Sequence, residues 1–142
     1  MSTTRQLIIS SIVLAIVAGC GDDPSGPVDE LQGGALATFQ VSGEQFHIWV
    51  TNDAVIEQIL DLRDGLNSAN IPNGVLHAGP GIADHNAPWL WHIDGEDISM
   101  AEVTVEVCDG RPSLVDSLLE DYLVVGRFCP WGAELVSIDD RR

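Results

Sequence analysis

Cys108 and Cys129 are the only cysteines beyond residue 20, and whether they can join decides how tightly a chain of this size can be closed. The compartment settles that first. Arg5 precedes an apolar run from Leu7 to Ala18, and the run ends in Val17-Ala18-Gly19-Cys20. It is shorter than the roughly 20 residues of a membrane-spanning helix, and the small residues before Cys20 open that bond to a peptidase. Residues 1–19 therefore read as a lipoprotein signal peptide, with Cys20 as the lipidated first residue of the exported chain. In an oxidising compartment the two remaining cysteines pair by default. Two free thiols would need the reducing compartment that the leader contradicts. A Cys108–Cys129 bridge contributes about 3 kcal/mol on the chain-entropy account.

The chain beyond the leader has room for one domain of ordinary size. Residues 20–34 are polar and rich in Gly, Pro and Asp, with no apolar period, and read as a flexible tether. Residues 35–142 are the globular part. The formal net charge is −16, there is no lysine, and all 22 acidic residues lie beyond the leader. Such a surface repels nucleic acid and anionic headgroups, so no nucleic-acid partner is expected and contact with a membrane goes through the lipid anchor alone.

Within the globular part, Ala35 to Val41 and Gln45 to Thr51 form two strand-like runs around Ser42-Gly43-Glu44, which predicts a hairpin. Phe46, Ile48 and Val50 make its core face, leaving His47 at a solvent edge beside Trp49. Thr51 or Asn52 caps a helix through Asp64, with Val55, Ile56, Ile59 and Leu60 on one stripe and Gly65 as the stop. Its outer face is acidic. Asn67 to Asp84 reads as loop-rich, Trp89 to Asp94 as a short strand, and Asp94 to Asp97 as the turn after it. Ser99 to Cys108 is the longest clean alternation and predicts a central strand, with Ala101, Val103, Val105 and Val107 on its apolar face. Pro112 and Ser113 open a second helix bearing Leu114, Val115, Leu118, Leu119 and Tyr122, and Ala133 to Ile138 is a last strand. The order predicts an α+β domain: an antiparallel sheet with two helices packed on it and one disulfide.

The chemistry-bearing residues gather between Asp84 and Asp94. Imidazole and carboxylate from His85, His92 and Asp94 could hold a transition metal, but the spacing of a local zinc motif is missing and three or four ligands must converge. Asp94-Gly95-Glu96-Asp97 lacks the alternating oxygens of a calcium loop. No nucleophile elbow is present. The tryptophans beside prolines and glycines, Trp89, Trp91 and Trp131, read either as caps on the open end of a sheet or as rigid binding anchors. With Asn86 and His92 they form the expected ligand-binding set, suited to a protein loop or a carbohydrate.

Several motifs stand together: Ala37-Thr38-Phe39-Gln40-Val41, Ile71-Pro72-Asn73-Gly74, His85-Asn86-Ala87-Pro88-Trp89, Val105 through Ser113, and Val125-Gly126-Arg127-Phe128-Cys129-Pro130-Trp131-Gly132. In these the chain resembles a family of small exported bacterial proteins labelled calmodulin-binding, similar to the N-terminal domain of a slime-mould protein of that description. The likeness spans residues 36–138 and implies calmodulin as a partner. Calmodulin grips basic amphipathic helices, whereas both helices expected here carry acidic outer faces, so that mode of recognition is not expected. The residues and the resemblance together predict a non-catalytic binding module, without cofactor, lipid-anchored in the bacterial cell envelope. The alternative is a metal-dependent or hydrolytic enzyme using His85, His92 and Asp94.

Overall fold

A computed structural model describes residues 27–142. The leader, Cys20 and the first part of the tether lie outside the described residues. Two strands open the domain, β1 (Ala35–Val41) and β2 (Glu44–Val50), joined by the two-residue turn Ser42-Gly43. Both turn residues have positive φ, 53° and 80°, the twist that suits a tight hairpin. The register sets Phe39 opposite Phe46 and Ala37 opposite Ile48, so the apolar residues of both strands fall on one face.

Helix α1 (Asp53–Arg63) starts where its cap chemistry places it: the Asn52 side chain accepts from the amides of Ala54 and Val55. Val55, Ile56 and Ile59 are its buried stripe. Gly65, at φ 74°, takes the chain out of it. The outer face carries Asp53, Glu57, Asp61 and Asp64, all exposed.

Two antiparallel three-stranded sheets complete the architecture, which is α+β and antiparallel as expected, with two sheets in place of one. One has the order β2-β1-β6, with β6 at Glu134–Asp140. The other has the order β4-β3-β5, with β3 at Ile71–Ala78, β4 at Trp91–Ala101 and β5 at Arg127–Phe128. They adjoin along the edges of β2 and β4, where the amides of Thr51 and Asn52 both donate to the Gly95 carbonyl at 2.9 and 3.1 Å. Gly95 is required there, because a Cβ on it would lie 1.8 Å from the Trp49 carbonyl oxygen. One core fills the space between the sheets and α1, built on Phe39, Phe46, Ile48, Ile56, Trp91 and Phe128. The expected second helix is broken at Leu118 into α2 (Pro112–Ser117) and α3 (Leu119–Val125).

Three further expectations change. The central strand expected over Ser99–Cys108 stops at Ala101, the end of β4, and beyond it Val103, Val105 and Val107 are 79%, 65% and 64% exposed. Alternation makes one face apolar, but no neighbouring element covers that face here. The expected turn Asp94–Asp97 lies inside β4 as a bulge. Gly74 pairs with Ile98 and Leu76 with Ile93, so four residues of β4 oppose Val75 alone. The local turn chemistry was nonetheless sound, since Asp94 Oδ1 accepts from the amides of Glu96 and Asp97. Finally, residues assigned to the tether are seated on the domain: Pro27–Glu30 form a short 3-10 turn, and Leu31 is buried. The Cys108–Cys129 disulfide is present, with Cα atoms 5.1 Å apart.

Candidate functional site

The tryptophans expected to make a ligand edge are separated by their packing. Trp91 opens β4 and points inward. Its ring is 0% exposed, packs against Phe46 and Phe128 at centroid distances of 5.8 and 5.1 Å, and its indole N–H donates to the Pro112 carbonyl. Trp89 is half-buried against the core and donates to the Gln45 carbonyl at 2.8 Å. Trp131, exposed, follows the disulfide, and its backbone amide donates to Asp109. Asn86 is fully buried and acts as a staple: its Oδ1 accepts from the His47 amide at 2.8 Å and its Nδ2 donates to the Trp91 carbonyl at 2.7 Å. Neither Asn86 nor Trp91 has surface to offer a ligand.

What the fold does assemble is the histidines. The β3–β4 register places His77 directly opposite His92, and their rings lie 5.4 Å apart. His85 arrives from the loop between those strands and meets His92 edge-on at 5.7 Å. That approach depends on Gly81, whose φ is 85° and whose Cβ, if present, would lie 2.1 Å from the His85 ring. His77, His85, His92 and Asp94 line one open cleft of about 360 Å³, with Trp49, Ile82 and Ile93. A second hollow of about 320 Å³ shares His85 and adds His47 and Val28. All four histidines of the chain therefore border one or other of two hollows that meet at His85.

Each ring in the cleft is oriented by a hydrogen bond. His85 Nδ1 donates to the Ile82 carbonyl at 3.0 Å and His92 Nδ1 to the Gly79 carbonyl at 2.8 Å. His77 Nε2 donates to Asp94 Oδ2 at 3.3 Å. Because a carbonyl only accepts, the proton of His85 sits on Nδ1 and its Nε2 carries a lone pair. That Nε2 is buried and has no partner, in a residue only 4% exposed. Burial pushes the His85 imidazole below its usual range, a direction only partly opposed by the Ile82 hydrogen bond and reinforced by His92 and His47. Burial likewise lowers His47. Asp94 is held below the ordinary carboxylate range, first by the Glu96 amide and then by the Asp97 amide and His77.

The structure thus brings His85 and His92 together, while Asp94 is bonded to His77 and not to either of them. Among the described residues no three His, Cys, Asp or Glu side chains converge as a metal site. The hydroxyl lining the cleft, on Thr51, donates to Glu96 at 3.1 Å. His77 and Trp49 were not expected at the site, since the sequence puts the first in a loop-rich segment and the second beside a solvent-edge histidine. The signal available for His77 was its place in Val75-Leu76-His77-Ala78, a short apolar run that is in fact strand.

Comparison with known proteins fixes the family. A family model described as the BP-74 N-terminal domain matches residues 34–141. The chain belongs to the BP-74 N-terminal domain family. This is the family to which the motif resemblance pointed, and the match takes in both sheets, all three helices and the disulfide. No curated protein and no solved structure matches the chain.

Proposed function

We propose that this member of the family is an exported, lipid-anchored binding module that takes its ligand in the His85 cleft, without catalysis. The observation that carries the reading is the unpartnered Nε2 of His85, a buried ring that borders both hollows. A buried polar atom left without a hydrogen bond costs about 1–3 kcal/mol, and a ligand able to bond it recovers that energy. The ring is held in place by the Ile82 carbonyl and by Gly81, so the site is formed before a ligand arrives. The partner is a protein or carbohydrate group small enough to enter. Helix recognition by calmodulin is disfavoured by the acidic outer face of α1 and by Glu120 and Asp121 on α3.

Export and anchoring rest on the leader and Cys20. Radiolabelled palmitate fed to producing cells should enter the protein and should fail to enter a Cys20→Ala variant; equal labelling of both sinks the anchor. For the cleft, the full chain is titrated with a panel of sugars, amines, carboxylates and short peptides while the histidine ring signals are followed by NMR. Saturable shifts centred on His85 and His92 support the reading. Binding that leaves them unmoved and perturbs Trp131 instead overturns it.

The catalytic alternative draws on the same cleft, because an imidazole oriented by a carboxylate, as His77 is by Asp94, is a general base in waiting. Its test is hydrolysis of ester and amide substrates, with loss in His77→Ala as the decisive result.

A further inference from the structure

The polarity of the cleft says which ligand chemistry it accepts. Each titratable side chain lining it has committed its donor, or has none. His85 and His92 give their Nδ1 protons to backbone carbonyls, and His77 gives its Nε2 proton to Asp94. In the neutral rings the other nitrogen of each is a lone pair, and an ionised carboxylate only accepts. These four groups therefore carry acceptors and no uncommitted donor. Asp94 adds a full negative charge, and Glu96 and Asp97 stand exposed beside it on the same bulge. The charge of the whole molecule, −16, has the same sign. An anion would meet lone pairs and repulsion. Trp49, Ile82 and Ile93 give the cleft an apolar flank.

We propose that the cleft binds an organic cation bearing N–H donors, a guanidinium or primary ammonium group, which bonds the His85 Nε2 lone pair and the Asp94 carboxylate. A guanidinium suits it best, being planar, weakly hydrated and forked, so that one face lies on the apolar flank while its edges donate. A bare metal ion is the less fitting occupant, because no three ligating side chains among the described residues converge on one point. This inference rests on the reading of the cleft as the binding site and names the chemistry it selects. The cation belongs either to a free small molecule or to an arginine or lysine side chain of a polypeptide, and the chemistry in the cleft is the same for both.

The test is an NMR titration of the full chain at about pH 7.5, above the ordinary imidazole value of about 6.5, and at constant ionic strength, following the histidine ring C–H signals. The probes are methylguanidinium, methylammonium, tetramethylammonium, acetate and glucose. Methylguanidinium and methylammonium should shift His85 and His92 saturably, whereas tetramethylammonium, which has the charge but no N–H, should not. Asp94→Asn should weaken methylguanidinium binding at least about tenfold, a loss of about 1.4 kcal/mol. His85→Phe should abolish it, and if that variant does not fold, the more exposed Asp94→Asn carries the same test. Equal binding of tetramethylammonium, or no saturable shift with either N–H cation, overturns the proposal. So does zinc binding that His85→Ala removes and that methylguanidinium cannot displace. Saturable shifts from glucose or acetate, with none from the cations, would overturn this inference and keep the cleft as a binding site; silence from every probe and from the wider panel removes both. A Gly-Arg-Gly amide that binds about tenfold tighter than methylguanidinium assigns the cation to a polypeptide side chain, and equal binding assigns it to a free small molecule.

Discussion

Asn86 shows how much of the site depends on one side chain that no ligand reaches. It closes the loop carrying His85 onto β2 and β4 at once, through His47 and Trp91. Replacing it by alanine leaves a buried amide and a buried carbonyl without partners, so Asn86→Ala should lose about 2–4 kcal/mol, read from the urea midpoint. His85 sets a pH dependence of definite sign. Its folded pKa is depressed by burial, so as pH falls below the unfolded value of about 6.5 the unfolded chain takes up a proton that the folded one resists. Stability should therefore drop as pH is lowered through that range and level off below the folded pKa. His47, depressed by the same cause, acts in the same direction. The carboxylates of Asp94 and Glu44, whose pKa values are also lowered, extend the loss below about pH 4. Urea midpoints at about pH 7.5 and about pH 5.5, on either side of the ordinary histidine value, check the first window, and His85→Phe should flatten it.

Among the elements, legibility followed locality. The hairpin and α1 were readable because their signals are contained in a few residues: two positive-φ positions at Ser42 and Gly43, a cap at Asn52, a stop at Gly65. The valine alternation after Ala101 was just as regular and misled, because alternation reports that two faces differ and not that a partner covers one. Substituting Val103, Val105 and Val107 together by threonine should change stability by less than about 1 kcal/mol, whereas Ile98→Ala, buried on β4, should cost about 2–5 kcal/mol. Equal costs would restore a covered strand. The disulfide was readable from compartment and count. Cys108→Ser with Cys129→Ser should lower stability by about 3 kcal/mol, with the difference vanishing when the native protein is measured in reductant. The histidine cluster was not readable, since the pairing of His77 with His92 depends on a four-residue bulge that shifts the register of β4. The tryptophans divide for a related reason: their spacing announced an aromatic cluster, and only the inward turn of β4 puts Trp91 in the core while Trp131 stays exposed.

The described part of the molecule is closed where residues 28–34 meet Arg141. The Gly33 amide donates to the Arg141 carbonyl and the Arg141 amide to the Gly34 carbonyl, at 3.0 and 2.8 Å. The Arg141 guanidinium donates to the Val28 carbonyl at 2.7 Å and pairs with Asp139. Arg141→Ala should cost about 1–2 kcal/mol and speed amide exchange around residues 28–34, with α1 left protected. The 3-10 turn so clamped also packs on Ile82–Asp84, and Val28 lines the hollow behind His85. A pull along the chain before Pro27 would therefore act on the turn that walls the hollow behind His85. The attachment proposed above, lying before Pro27, would make the hollow behind His85 a tension-bearing joint.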